Sequence, residues 1–125
     1  MTALTTESRQ SLAQAFQGNG YRVYDTPPVV PAPPCVTFVA DTPWIRPNRI
    51  GSALNYEVRW RIIVVIKVRK NSAELLDAED AIDTILGLIP AGFEVAQVGP
   101  PQLTDTGAQG TVITTEIAVS AQMKE

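Results

Sequence analysis

Residues Asn55 to Arg69 read Asn-Tyr-Glu-Val-Arg-Trp-Arg-Ile-Ile-Val-Val-Ile-Lys-Val-Arg. The even positions Tyr56, Val58, Trp60, Ile62, Val64, Ile66 and Val68 form one unbroken apolar face at strand period. The odd face carries Glu57, Arg59 and Arg61, then apolar Ile63 and Val65, then Lys67 and Arg69. The middle of such a strand suits burial on both faces, while its two ends turn charge outward on one. At about 3.3 Å per residue, a strand from Tyr56 to Val68 spans roughly 40 Å. A domain of 125 residues is only roughly 35 Å across. The pattern therefore predicts a strand that crosses the domain and makes contact with another subunit.

The remaining pattern fills in around it. Thr5 or Thr6 can cap a helix running to about Gln17, with Leu12, Ala15 and Phe16 as its apolar stripe and Gly18-Asn-Gly20 as its stop. Tyr21–Tyr24 and Cys35–Ala40 read as short strands, separated by the proline run of residues 27–34, which cannot join a central ladder. Asp41 to Leu54 has two prolines, a glycine and little periodicity, and reads as a long loop. Asn71-Ser-Ala-Glu74 resembles a capping box. The helix it opens carries Leu75, Ala78, Ile82, Ile85, Leu86 and Ile89 at helical spacing and ends at Pro90 and Gly92. Phe93–Val98 is a strand, Gly99 to Gly110 a loop, and Thr111–Gln122 a final long strand.

The expected fold is α+β and a single domain over residues 1–125. It has a mainly antiparallel sheet of about five strands, with two amphipathic helices on one face, in the order α-β-β-β-α-β-β.

Composition narrows the chemistry. Ten basic against thirteen acidic residues give a net charge of -3, which disfavours general affinity for nucleic acid. There is no histidine, hence neither the usual general base near neutral pH nor the commonest zinc ligand. The single cysteine, Cys35, forms no internal disulfide. No apolar run reaches the roughly 18 residues of a membrane helix, and the first residues lack a signal peptide's apolar core. The sequence thus reads as a soluble chain made in a cytosol, with no cofactor, metal or membrane partner.

Each candidate site has a plainer structural reading. Glu74, Asp77, Glu79, Asp80 and Asp83 could be an acidic site, with Glu79 and Asp83 one helical turn apart, but a solvated helix face explains them better. Cys35 has no base to activate it as a nucleophile and suits a buried strand start. The proline run contains spacings that SH3 domains bind, but a stiff connection explains it better. Trp44 lies in Pro-Trp-Ile-Arg-Pro-Asn-Arg-Ile, with Ile45, Arg46, Arg49 and Ile50. Tryptophan and arginine concentrate binding energy at interfaces, and the alternative is that Trp44 and Ile45 fold back as a lid over the sheet. Neither Gly18-Asn-Gly20 nor Gly99-Pro-Pro101 has the spacing of a phosphate loop. No enzyme constellation emerges.

The order Leu12-Ala-Gln-Ala-Phe16, Gly20-Tyr-Arg-Val-Tyr24, a Pro-Pro turn and Pro34-Cys-Val-Thr-Phe-Val-Ala40 resembles the tail-terminator proteins of long-tailed bacteriophages. The long strand running into Asn71-Ser-Ala-Glu-Leu-Leu-Asp-Ala-Glu-Asp-Ala-Ile-Asp83 adds to the likeness. It covers nearly the whole chain as an order of elements, and the family has no short diagnostic motif.

The resemblance implies a structural virion protein without enzymatic activity. It would form a homo-oligomeric ring, usually a hexamer, on the head-proximal end of the tail. Its partners would be the tail tube protein and the head–tail connector or stopper protein. DNA would pass through the bore without specific binding, and assembly would take place in the host cytoplasm. A neck protein on the portal side, or a small cytosolic module holding a ligand or peptide, are the alternatives. Ring closure needs two different patches per subunit. The basic ends of the long strand (Arg59, Arg61, Lys67, Arg69) and the acidic helix face (Glu79, Asp83) are the expected pair. A neighbouring subunit is expected to cover Ile63 and Val65, and the Asp41–Leu54 and Gly99–Gly110 loops are further outward contacts.

Overall fold

The computed structural model describes residues 4–18, 20–24, 34–50, 53–67, 74–105 and 111–124. In chain order these form α1 (Leu4–Ala15), β1 (Arg22–Tyr24), β2 (Cys35–Ile50), β3 (Ala53–Lys67), α2 (Glu74–Leu88), β4 (Phe93–Val98), β5 (Gln102–Asp105) and β6 (Thr111–Lys124). The fold is α+β. One sheet runs β1-β2-β3-β6-β4, with β5 also paired to β6.

Three details differ from the sequence reading. The sheet has six strands rather than about five. The extra one, β5, lies within the expected Gly99–Gly110 loop. It shares one edge of β6 with β4: β4 pairs Ile117–Ala121 and β5 pairs Thr111–Thr114. Between them the Gly99 N–H still donates to the Glu116 carbonyl at 2.8 Å, but Pro100 and Pro101 have no N–H to continue the ladder.

Second, β1 and β2 are parallel, with Arg22 opposite Cys35 and Tyr24 opposite Thr37. The connection from Asp25 to Pro34 is long enough to carry the chain back to the starting end of a three-residue strand.

Third, residues 41–50 are not a loop. They continue β2 to Ile50, antiparallel to β3 as far as the Ile50–Ala53 pair. Beyond Thr37, β2 has β3 as its one strand partner among the described residues. An edge strand tolerates Pro43 and Pro47 where a central one would not. Smaller shifts occur at the helix ends. α1 begins at Leu4, so Thr5 and Thr6 lie in its first turn rather than at its cap. Asn71–Ala73 and the proline run from Pro27 to Pro33 lie outside the described residues.

The period-2 reading of β3 matches its burial. Val58, Trp60, Ile62, Val64 and Ile66 are all buried on one face and share a cluster with Leu12 of α1, Phe16 in the turn that follows α1, and Ala81 and Ile85 of α2. Phe16 stacks on Phe38 of β2 with centroids 5.9 Å apart, a geometry that adds to simple area burial. A polar pin fixes α1 to the same face: the Trp60 indole Nε1–H donates to Ser8 Oγ at 2.8 Å. Gly18 and Gly20, both at positive φ, allow the turn from α1 into β1 without a Cβ clash.

The opposite face of the sheet has a smaller apolar cluster of Cys35, Val65 and Val112, with Tyr24 and Ile63 packed against it. Val65 is 6% exposed in the single chain. Its cover therefore comes from within the chain, and no neighbouring subunit is needed to bury it.

Candidate functional site

The β2–β3 hairpin changes register at one place. Ala40 faces Trp60 and Ile45 faces Val58, so the four residues Asp41 to Trp44 lie opposite Arg59 alone. This wide bulge holds the cis Thr42–Pro43 peptide bond. It sends two side chains to opposite faces of the sheet.

Asp41 goes to the face without helices. It is 7% exposed, and a carboxylate so buried needs partners. It has three: Arg61 Nη2 donates to Oδ1 at 2.9 Å, Arg59 Nη2 lies 3.3 Å from Oδ2, and the Thr42 N–H donates to Oδ1 at 2.9 Å. Looser contacts extend the row. Glu57 Oε1 is 3.9 Å from Arg59 Nε and 4.0 Å from Arg46 Nη1, and Glu116 Oε1 is 3.8 Å from Arg61 Nη1. Gln122 Nε2 donates to Glu57 Oε2 at 3.5 Å. Arg46, Arg59 and Arg61 thus stand against Asp41, Glu57 and Glu116, and the ribbon is neutral as a whole. The long, exposed contacts add little stability; the Asp41 pairings carry most of it.

Trp44 goes to the helix-bearing face. Its ring meets Trp60 edge-on, with centroids 5.7 Å apart and planes at 72°. It still leaves 41% of its surface exposed, so it serves partly as a lid and partly as surface. Ile45 is half-buried. The Arg46 side chain is 63% exposed, the most open of the three arginines in the ribbon.

Across the sheet, Glu79 and Asp83 are exposed on α2. With Ile82 they wall a groove of about 410 Å³ whose other side is Val98, Gly99 and Pro101, with Thr115 at its base. Val95 and Val98 are each 40% exposed and Leu103 is 69% exposed. All three pair with buried residues of β6 on the helix-bearing face: Val119, Ile117 and Ile113. They form an apolar margin beyond α2. The sequence reading missed it, although apolar residues on both sides of Gly99-Pro-Pro101 were the available signal.

The expected interface residues therefore separate. Trp44, Ile45 and Arg46 gather at the open edge of β2. Arg59 and Arg61 are held by Asp41. Ile63 and Val65 belong to the small second cluster. Glu79 and Asp83 line the groove at the far side of the sheet. Arg49 and Ile50 end β2 and Lys67 ends β3; their side chains, and all of Arg69, lie outside the described residues.

Cys35 is fully buried. Burial pushes its thiol pKa up, partly offset by the Arg22 charge, which is the reverse of what a nucleophile requires. Tyr21 is likewise pushed up, by burial and then by the nearby Asp80 carboxylate. Among the described residues no three His, Cys, Asp or Glu side chains gather to hold a metal ion, and no helix is long and apolar enough to cross a membrane. No protein-family model matches the chain, and neither does any curated protein sequence.

Proposed function

We propose that this chain is a structural, non-enzymatic protein of a phage tail, acting as a tail terminator. In this reading several copies form a ring on the head-proximal end of the tail tube, stop its polymerisation and offer a surface to the head–tail connector. The observation that carries the proposal is the pair of unlike surfaces on opposite sides of one sheet. The open edge of β2 presents Trp44 and Arg46, and the far side presents an acidic, apolar groove. A ring built from one kind of subunit requires two different, complementary patches. The order of elements, with a long hairpin followed by a helix, supports the same reading through its resemblance to that family.

Light scattering and negative-stain microscopy of the purified protein, alone and with tail tubes, test the proposal. Rings, in solution or on tube ends, are the expected result. A chain that stays monomeric and leaves tube length uncontrolled would overturn it. Binding to portal rather than tube protein would point to a neck component. The groove suits a second class of function, a ligand- or peptide-binding module, which predicts a tight complex formed by a lone monomer.

A further inference from the structure

We infer that the groove between α2 and the β4–β5 edge receives the Trp44–Arg46 segment of a second copy of this chain. The inference rests on the ring reading above and names the contact within it. Ile82, Val98 and Pro101 give the groove apolar walls, while Glu79 and Asp83 are exposed at its α2 side. An occupant that matches this chemistry carries a large apolar group and a cation. The bulged edge of β2 carries both on opposite faces of the strand, Trp44 41% exposed on the helix-bearing face and the Arg46 side chain 63% exposed beside Glu57 on the other, so the edge enters the groove with one on either side.

Topology prevents one chain from satisfying both halves. The order β2-β3-β6-β4 puts three strand spacings, roughly 14 Å, between the two edges. Each copy therefore keeps one free donor edge and one free groove, and their union is a heterologous contact that propagates from copy to copy. Side chains rather than backbone must dominate it. The open edge of β2 is broken by Pro43, Pro47 and the bulge, and the opposite edge by Pro100, Pro101 and a register shift between Val95 and Gln97. Neither edge offers a long run of backbone groups for strand addition.

The test is a charge swap across the contact, read by sedimentation and light scattering. Arg46→Glu and Asp83→Arg are each expected to keep the wild-type fold by circular dichroism, because both side chains are exposed. Each alone raises the protein concentration needed for self-association by roughly tenfold or more. An equimolar mixture of the two restores association, because every contact in an alternating assembly regains an opposite pair. Unchanged association in both single variants, or no recovery in the mixture, would overturn the contact. A wild-type protein that stays monomeric, both alone and on tail tubes, would overturn it too. Tube capping is scored separately. If wild type and Arg46→Glu cap tubes equally well, the contact fails and the tail-terminator reading stands. If the charge swap controls association but no tube is ever capped, the contact stands and that reading fails.

Discussion

Trp60 and Ser8, fifty-two residues apart, share a buried hydrogen bond of 2.8 Å that ties the first helix to the centre of the sheet. Both residues are almost wholly buried, at 4% and 1% exposure. Removing the acceptor leaves an indole N–H without its hydroxyl partner in an apolar core. Ser8→Ala should therefore cost about 1–3 kcal/mol in stability. Urea unfolding of Ser8→Ala, Trp60→Phe and the double variant would measure the coupling. A Ser8→Ala loss below about 0.5 kcal/mol would mean that the bond is not a structural pin.

Asp41 binds Arg59 and Arg61 together, so its loss is felt by both strands of the hairpin. Asp41→Asn keeps the shape but removes the charge, and should lower stability by about 1–3 kcal/mol. The same geometry changes how reversing Arg59 and Arg61 reads out. If these two arginines served only as an interface patch, charge reversal would harm assembly and leave the fold largely intact. With a buried carboxylate between the two guanidiniums, Arg59→Glu and Arg61→Glu should also destabilise the monomer. Thermal melts of these variants beside Arg46→Glu separate the effects. Arg46→Glu should melt close to wild type.

Tyr21 and Cys35 should make the fold less stable at alkaline pH. Both groups are neutral when protonated, and burial raises both pKa values in the folded state. A raised folded pKa gives stability that is complete below the unfolded value and is lost as pH rises through the folded one. For Tyr21 that loss begins near the ordinary phenol value of about 10. Tyr21→Phe should flatten the decline in melting temperature above that pH and leave neutral stability nearly unchanged. Iodoacetamide should label Cys35 many-fold more slowly in native protein than in urea; equal rates would contradict its burial.

Leu103 is 69% exposed on the shortest strand of its edge. Leu103→Lys should leave unfolding free energy within about 0.5 kcal/mol of wild type. It should also reduce non-specific aggregation at high protein concentration, because lysine blunts an open strand edge. Chemical unfolding and turbidity measurements check the two halves of this expectation.

The strand from Tyr56 to Ile66 was legible in the sequence because strict alternation has one physical meaning, an apolar face against a core. Leu12, Phe16, Ile82 and Ile85 were legible for the corresponding helical reason. Residues 41–50 were not. Their two prolines and mixed polarity look like a loop, and the bulge also shifts the phase of the alternation. Phe38 faces the helices at an even position, whereas Ile45, opposite Val58, shares that face at an odd one. No single period fits both halves. The Asp41–Arg59–Arg61 cluster and the Trp44–Trp60 contact depend on that register and were hidden with it. Val95, Val98 and Leu103 were readable as strand residues, but their exposure depends on how far α2 reaches across the sheet.

The bulge at Asp41–Trp44 also works as an expansion joint. Pairing up to Ala40 is fixed by the core, and it resumes at Ile45 opposite Val58 and runs on to Ile50 opposite Ala53. A residue gained or lost between them would be absorbed locally, without dragging either half of the strand out of step. The outer arm of this hairpin is therefore free to diverge in length and chemistry while the inner half keeps its place, and the residues that such a change would sacrifice are the carboxylate clamp and the exposed tryptophan.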